Sequence, residues 1–344
     1  MATYDYSFLE NSWVDTNIIP MFRDINRIQE RINLWKIMYP DVFPLLEKKT
    51  IADAVFCSNE IEHICVPRDR VGDIIAGDEP NGLSEIKIAG YYDALNCIWD
   101  SNTLLSADLI KDVHTKLMGR YCPDAGKLRG DDSPHVGYGT MSAVRKPVCS
   151  SEIQPSLDSF CDAVNEILSN DGVDVLIALP CIIMDFIGLS PFRNGNGRMY
   201  RILIEYVLLN HGYSLARYSS VDAAILSDVK QHTHSIYQSS HRWEGDEVSY
   251  APFMYNLIYS VWVAAKNLES RFPSIEGGRC KKHERVRISI ASVADGFTKS
   301  DIADMLPDIS PITIQKEISA MVSEGSLIRE GTTKSSRYYH CIVK

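Results

Sequence analysis

The sequence lacks a long uninterrupted apolar run and an apolar leader. Its longest apolar stretch, Val175 to Leu189, is interrupted by Pro180 and Asp185, and it is shorter than the roughly 20 apolar residues that a membrane-spanning helix needs. The stretch Met1 to Trp13 has no basic start followed by an apolar run, so a signal peptide is not expected. We therefore expect no membrane association and interpret residues 175–189 as a buried helix.

Cysteines in metal-binding or disulfide spacing are also lacking. The nine cysteines are scattered, with no Cys-x-x-Cys pair and no histidine partner at zinc spacing. An odd number of cysteines without a secretion signal favours reduced thiols and a cytoplasmic location. His232, His234 and His241 lie close together, but the first two are two positions apart and face different sides of a helix. A metal site is therefore not expected there.

Positive charge is scarce as well. The 344 residues carry a formal net charge of −10, which argues against a general nucleic-acid binder. Residues 281–344 are the least acidic part, with ten basic and eight acidic residues, so a small nucleic-acid-binding module stays open there. The length predicts about two domains, and 45% apolar with 23% charged residues is typical of globular domains with ample cores.

One stretch, from Ser190 to Arg201, carries a recognisable chemistry. It reads Ser-Pro-Phe-Arg-Asn-Gly-Asn-Gly-Arg-Met-Tyr-Arg and predicts a glycine-rich turn that opens into an apolar helix. Gly195 and Gly197 allow a tight turn and a close approach of the backbone to a ligand. The first N–H groups of the helix and its dipole suit a phosphate. Two cations so near a helix N-terminus, Arg198 and Arg201, are unfavourable unless an anion lies beside them. A phosphate site is the interpretation we adopt.

The same stretch resembles the signature of the Fic (Fido) family, His-Pro-Phe-x-(Asp/Glu)-Gly-Asn-Gly-Arg-x-x-Arg. Members of this family typically transfer AMP from ATP onto a hydroxyl side chain of a protein. Seven positions match: Pro191, Phe192, Gly195, Asn196, Gly197, Arg198 and Arg201. Two positions depart from the signature, because Ser190 replaces the catalytic histidine and Asn194 replaces a metal-binding carboxylate. The resemblance covers about residues 1–270.

The resemblance implies a site for ATP and Mg²⁺. The turn would cradle phosphates, and the two arginines would neutralise the β- and γ-phosphates, where charge accumulates. Asn194 keeps an oxygen ligand for Mg²⁺ but loses the charge, so metal affinity should fall. Phe192 would be buried and hold the turn in place. The nucleotide-binding residues implied in this way are Phe192, Gly195, Asn196, Gly197, Arg198 and Arg201.

The implied catalytic residues are Ser190, Arg198 and Arg201. The family's histidine takes the proton from the attacking hydroxyl, and a serine does not do this near neutral pH. General base catalysis contributes about 10²–10⁴-fold, whereas positioning of the phosphates would survive its loss. Three interpretations stay open: a weak adenylyltransferase acting on a Ser, Thr or Tyr of a protein or of itself, a nucleotide-binding pseudoenzyme that regulates through a C-terminal domain, and a scaffold without a nucleotide. The phosphate-binding residues favour the first two, and we expect the first.

A second motif suggests inhibition of this site. A helix is expected over about 45–66, with Ser58 and Glu62 one turn apart on one face. The run from Ser58 to His63 resembles the family's inhibitory motif, Ser/Thr-x-x-x-Glu-Gly/Asn, with His63 in place of the last residue. The resemblance implies that Glu62 pairs with Arg201 and obstructs the γ-phosphate. The alternative is an ordinary surface helix.

Glycine and proline end the helical pattern between residues 125 and 147 and predict two short strands with a turn. This segment resembles the family's flap, along which a hydroxyl-bearing protein target would lie as an added strand, here over about 130–146. Its alternative is a plain surface loop. Arg129 matches a Gly-x-x-Arg that recurs before the flap. A loop is expected over 67–83, and His114 is interpreted as a core histidine.

We therefore predict a mainly α fold, with a Fic helical core and small β-hairpin flap over 1–275 and a winged helix-turn-helix domain over 276–344. Helix caps at Thr298 and Ser310, a stop at Gly325 and two strands near the end support the second domain. DNA and a protein are open alternatives as its partner. The residues expected to contact DNA are Thr313, Gln315, Lys316, Lys334 and Arg337, whereas Glu317 on the same helix opposes DNA binding.

Overall fold

A computed structural model of the chain describes residues 4–11, 15–99, 103–130, 137–138, 141–142, 148–240, 249–272, 281–293, 296–306, 308–331 and 336–341. Over these residues the fold is mainly helical, as predicted, with 14 α-helices and two two-stranded antiparallel sheets. No α-helix in this part of the chain is long and apolar enough to cross a membrane.

Eleven helices share one hydrophobic core. They are α1 Ile19–Met38, α2 Phe43–Ile61, α3 Arg68–Ala76, α4 Leu83–Trp99, α5 Ala107–Met118, α6 Ile153–Leu168, α7 Val175–Leu189, α8 Asn196–Asn210, α9 Val221–Ser227, α10 Val229–Ser240 and α11 Ala251–Glu269. Apart from Asp185, helix α7 is apolar, and it lies buried between α6, α8 and α11. This central position confirms the buried helix that the sequence predicts and fixes the start of α8.

The loop predicted over residues 67–83 is wrong, because the structure has helix α3 there. Val71 and Ile74 lie one turn apart and are buried, so even this polar segment has an apolar face. Gly77, at φ 113°, ends the helix in the left-handed region. Residues 221–240 form two helices, α9 and α10, which are separated at Asp228.

The predicted flap lies partly outside the described residues. Within them, β1 (Gly137–Tyr138) and β2 (Met141–Ser142) pair antiparallel, with Tyr138 opposite Met141. This agrees with a short hairpin, and the residues on either side of the two strands are not described.

The described residues from 281 onward form a smaller unit with its own core. Its elements are α12 Lys282–Ser292, α13 Lys299–Met305, α14 Pro311–Ser323, β3 Leu327–Glu330 and β4 Arg337–His340. The predicted caps are present, since Thr298 and Ser310 accept hydrogen bonds from backbone N–H groups in the first turns of α13 and α14. This order of elements is the one expected of a winged helix, and α13 packs against α2 of the larger unit.

The side chains proposed to read DNA are partly engaged within the smaller unit. Gln315 contacts Lys299 and Ser319, and Glu317 pairs with Arg287 at 3.0 Å. Lys316 is exposed. Of the other candidates, Thr313 bonds Ser310, Arg337 donates to the carbonyl of Gly296, and Lys334 lies outside the described residues.

Candidate active site

The turn between α7 and α8 is held by its own side chains. Asn196 accepts a hydrogen bond from the Phe192 N–H at 3.1 Å and donates to the Phe192 carbonyl at 2.7 Å. Gly195, at φ 86°, precedes the first residue of α8 in the left-handed region, which favours glycine. The Phe192 ring is buried and stacks on the His114 ring with 3.7 Å between centroids. The tight turn predicted from the sequence is present, and Phe192 holds it in place.

His114 on α5 supports this turn through ring stacking and hydrogen bonds. Its Nδ1 accepts from the Gly126 N–H at 2.9 Å, so the ring proton is on Nε2, which donates to the Asn194 carbonyl at 3.0 Å. Burial lowers the pKa of His114 to about 4 and keeps the ring neutral. His114 is therefore a core histidine with both nitrogens engaged, as predicted. The Asn194 side chain, the expected metal ligand, is exposed at the surface of the turn.

Ser190 does not face outward from the turn. It caps α7 in the left-handed region at φ 41°, and its hydroxyl donates to the Ile187 carbonyl at 2.6 Å. Arg129 holds the same backbone. Its side-chain Nε donates to the Ser190 carbonyl at 2.9 Å, and its backbone N–H donates to the Pro191 carbonyl at 3.0 Å. Because Ser190 is only 4% exposed and its hydroxyl is bonded to its own helix, this hydroxyl is not placed to take a proton from a second hydroxyl.

Arg201 is turned toward α2. Its side chain is fully buried, and Nε donates to the Ser58 hydroxyl at 2.7 Å. Nη2 donates to the Ser58 carbonyl at 3.0 Å and to Oε1 of Glu62 at 2.8 Å. Burial would raise the pKa of Glu62, but the charge and hydrogen bond of Arg201 outweigh it and hold the pKa below its ordinary value. The structure thus brings together Ser58, Glu62 and Arg201.

Glu62 also covers the N-terminus of α8. A Cβ atom on Gly197, in the first turn of α8, would overlap with the Glu62 carboxylate. Only glycine allows so close an approach. Glu62 itself caps the C-terminus of α2, where the helix dipole disfavours a negative charge. The dipole of α8 and the charge of Arg201 offset that cost.

The departure at position 63 has a conformational explanation. The N–H of Ile64 bonds the Asn59 carbonyl and the N–H of His63 bonds the Glu60 carbonyl, both at 2.9 Å, which is a Schellman end for α2. His63 adopts φ 57° at the left-handed position of this motif. Glycine and asparagine fit that position best, and histidine is among the other residues enriched there. His63 therefore supplies the same backbone turn behind Glu62.

Arg198 extends away from Arg201. Its Nη2 donates to the Tyr121 hydroxyl at 2.8 Å and to Sδ of Met118 at 3.2 Å. Among the described residues Nη1 of Arg198 has no hydrogen-bond partner, although the side chain is only 5% exposed. A buried guanidinium with an unsatisfied donor is costly, so this end of the site suits an anionic ligand. The sequence did not indicate Tyr121, since it lies 77 residues before Arg198.

Two buried carboxyl groups lie behind Arg201. Burial raises the pKa of Asp222 to about 6, although Arg201 and a 3.0 Å hydrogen bond from Tyr91 act in the opposite direction. Burial and the neighbouring Asp222 raise the pKa of Glu205 well above its ordinary value. Neither oxygen of Glu205 has a hydrogen-bond partner in the described part of the chain. Neutral Glu205 is the form that this environment favours.

Replacing Glu205 with Gln is expected to flatten the dependence of stability on pH. The raised pKa of Glu205 means that its contribution is complete below about pH 4.5 and is lost as pH rises through the folded-state value. Over that window the wild type should lose about 1.4 kcal/mol per pH unit relative to Glu205→Gln. Urea unfolding between pH 5 and pH 8 measures this difference. If the stability of the two proteins changed with pH in parallel, Glu205 would have the same pKa in the folded and unfolded states, and the prediction would be wrong.

Comparisons with known proteins find similarity to Fic proteins. The model of the Fic/DOC family matches residues 104–208. A solved Fic family protein from Desulfovibrio desulfuricans is 15% identical, with a TM-score of 0.63 over 96% of this chain and 97% of that chain. A Fic domain-containing signaling protein from Bacteroides thetaiotaomicron is 16% identical, with a TM-score of 0.54 over 73% of this chain and 97% of that chain. Fic-1 from C. elegans is 16% identical, with a TM-score of 0.52 over 72% of this chain and 71% of that chain.

No curated protein matches the chain. The segment matched by the family model contains α5, α6, α7 and most of α8, and hence Ser190, Arg198 and Arg201. The solved structures share the fold over 96% and 73% of this chain. Residues 104–208 are therefore similar to the Fic/DOC family model, and the chain shares its fold with solved Fic proteins.

Proposed function

We propose that the protein binds Mg·ATP at the N-terminus of α8 and transfers AMP to a hydroxyl of a protein, with Glu62 holding it inactive. The observation that carries this proposal is the position of the Glu62 carboxylate. It lies against Gly197 and 2.8 Å from Arg201, where a terminal phosphate would be stabilised by the same helix dipole and the same cation. The Fic family is known for nucleotidyl transfer, which agrees with a nucleotide as the anion.

Each residue has a defined part in this proposal. Arg198 offers the unsatisfied Nη1 to a phosphate, and Tyr121 orients the other end of its guanidinium. Arg201 takes a terminal phosphate once Glu62 has left. The Asn196 amide holds the turn so that the first N–H groups of α8 point at the ligand. A target hydroxyl would attack the α-phosphate, pyrophosphate would leave, and the attacking hydroxyl would lose its proton to a group other than Ser190.

Mg²⁺ would be held mainly by the nucleotide and by water. At the turn, the exposed Asn194 offers it a neutral side-chain oxygen, and the described residues contain no group of three or more His, Cys, Asp or Glu suited to a metal. Mg²⁺ in nucleotide sites is commonly bound through phosphates and a few protein ligands. The bound ion would neutralise phosphate charge.

The inward hydroxyl of Ser190 favours a second candidate function. Without a base, the same site can bind ATP with little turnover and act as a regulator. The contact of α13 with α2 gives such a regulator a path, because α2 carries Ser58 and is capped at its C-terminus by Glu62. In this alternative ATP displaces Glu62 and the change at α2 alters the smaller unit.

Glu62→Gly is expected to bind Mg·ATP at least about tenfold more tightly than the wild type, because the competing carboxylate is gone. Titration calorimetry measures the affinity, and intact-protein mass spectrometry after incubation measures an AMP adduct. Glu60→Gly is the matched control, since Glu60 contacts Cys65 and not Arg201. Arg198→Ala in the Glu62→Gly protein should abolish the gain.

The outcomes separate the candidates. An AMP adduct on Glu62→Gly, or on an added target, supports the transferase. Tight ATP binding without any adduct supports the regulator. Equal, negligible ATP binding by the wild type and Glu62→Gly contradicts both.

A further inference from the structure

A line of polar side chains continues behind Arg201 into the core. Nη1 of Arg201 donates to the hydroxyl of Tyr200 at 3.2 Å. The same hydroxyl lies 3.1 Å from Nε2 of His232, and Nδ1 of His232 lies 2.7 Å from Oδ1 of Asn256. The residues come from α8, α10 and α11, and all are buried. Three helices therefore contribute to one hydrogen-bonded line that ends at the arginine.

Each hydrogen bond in this line has its donor on the side of Arg201 and its acceptor on the side of Asn256. Oδ1 of Asn256 only accepts, so Nδ1 of His232 carries the proton. Burial lowers the pKa of His232 to about 4, so the ring is neutral and Nε2 accepts from the Tyr200 hydroxyl. The Tyr200 oxygen is then directed to accept from Arg201. His232 is thus a hydrogen-bonded core residue, and His234 on the next face is exposed.

We propose that Tyr200, His232 and Asn256 form a positioning chain that fixes the guanidinium of Arg201 for a terminal phosphate. Ser58 holds Nε and Nη2 of the guanidinium, and Tyr200 holds Nη1. A planar group bonded at all three nitrogens does not rotate freely. When Glu62 leaves, Nη2 stays directed at the place that the carboxylate occupied.

The phosphate part of this inference rests on the proposed function, whereas the orientation of Arg201 toward Glu62 does not. A side chain that only stabilises the fold would affect every ligand of the site alike. A side chain that orients Arg201 affects the ligands that Arg201 contacts. ATP and AMP distinguish these cases, because AMP has no β- or γ-phosphate.

Tyr200→Phe in the Glu62→Gly protein is expected to weaken ATP binding about tenfold and to leave AMP binding unchanged, as measured by titration calorimetry. His232→Leu should give the same ATP-selective loss. Tyr206→Phe is the matched control on α8, because its hydroxyl donates to the Thr103 carbonyl and not toward Arg201. Equal losses for ATP and AMP, or no loss for ATP, would overturn the positioning role.

A measurement without nucleotide separates failure of this inference from failure of the proposed function. A double-mutant cycle combines Tyr200→Phe with Glu62→Gln and follows urea unfolding. If Tyr200 orients Arg201 toward Glu62, the two changes are coupled by at least about threefold in the unfolding constant. Additive effects overturn the positioning chain. If the two changes are coupled but the protein binds no ATP, the orientation of Arg201 by Tyr200 is supported and the proposed nucleotide binding is contradicted.

Discussion

Replacing Ser190 with His in the Glu62→Gly protein is expected to raise the rate of AMP transfer by about 10²–10⁴-fold, which is the typical contribution of a general base. The Ser190 hydroxyl is bonded to Ile187 and takes no proton. Histidine tolerates the left-handed backbone at φ 41° better than most residues. The rate of appearance of the AMP adduct, followed by intact-protein mass spectrometry, measures the gain.

Ser190→Asn in the same background is the control for this prediction. Asparagine also tolerates the left-handed region, and it removes the hydroxyl without adding a base. We expect no gain from it. Equal rates for the His and Asn variants would show that release of Ser190, and not a base, limits transfer. A His variant that binds ATP but transfers nothing would favour the regulator.

Arg201→Met is expected to destabilise the protein by about 3–5 kcal/mol, the cost of removing one member of a buried charged group. The change leaves Ser58 without its donor and Asp222 without the nearby cation that opposes its raised pKa. A carboxyl whose pKa is raised in the folded state contributes less to the stability of the protein as pH increases. The destabilisation caused by Arg201→Met should therefore be larger at pH 8 than at pH 5. Urea unfolding at both values measures it.

Arg198→Met tests whether this cost is specific to Arg201. Its guanidinium is also buried, but it bonds Tyr121 and Met118 and forms no ion pair within the described part of the chain. The expected loss is smaller and nearly independent of pH. Equal losses for the two variants would mean that burial of the arginine stem, and not the charged group around Arg201, accounts for the cost.

Much of the site follows from local sequence. The glycines at 195 and 197 and the amide of Asn196 form the turn before α8 by short-range geometry and hydrogen bonds. Ser58 on α2 and Glu62, the residue that caps α2, lie about one helical turn apart because a helix repeats every 3.6 residues. Their resemblance to an inhibitory motif then implied the partner, Arg201, which the structure places at 2.8 Å from Glu62.

Other parts of the fold were not readable from local pattern. The segment 67–83 is polar and contains glycine and proline, so periodicity favoured a loop over α3. Two buried side chains, Val71 and Ile74, were enough to form a helix once α2 and α4 offered a surface. Tertiary packing decides such short segments because their intrinsic helix propensity is weak.

By itself, the sequence determined the mainly helical architecture, the turn at the start of α8 and the pairing chemistry of two arginines with acidic or anionic partners. Tertiary structure alone decided which way each side chain faces. It turned the Ser190 hydroxyl toward Ile187, directed Arg198 toward Tyr121, and lined up Tyr200, His232 and Asn256 behind Arg201. Arg198 and Tyr121, for example, are 77 residues apart in the chain, and a local pattern carries no record of contacts that form only when distant helices pack together.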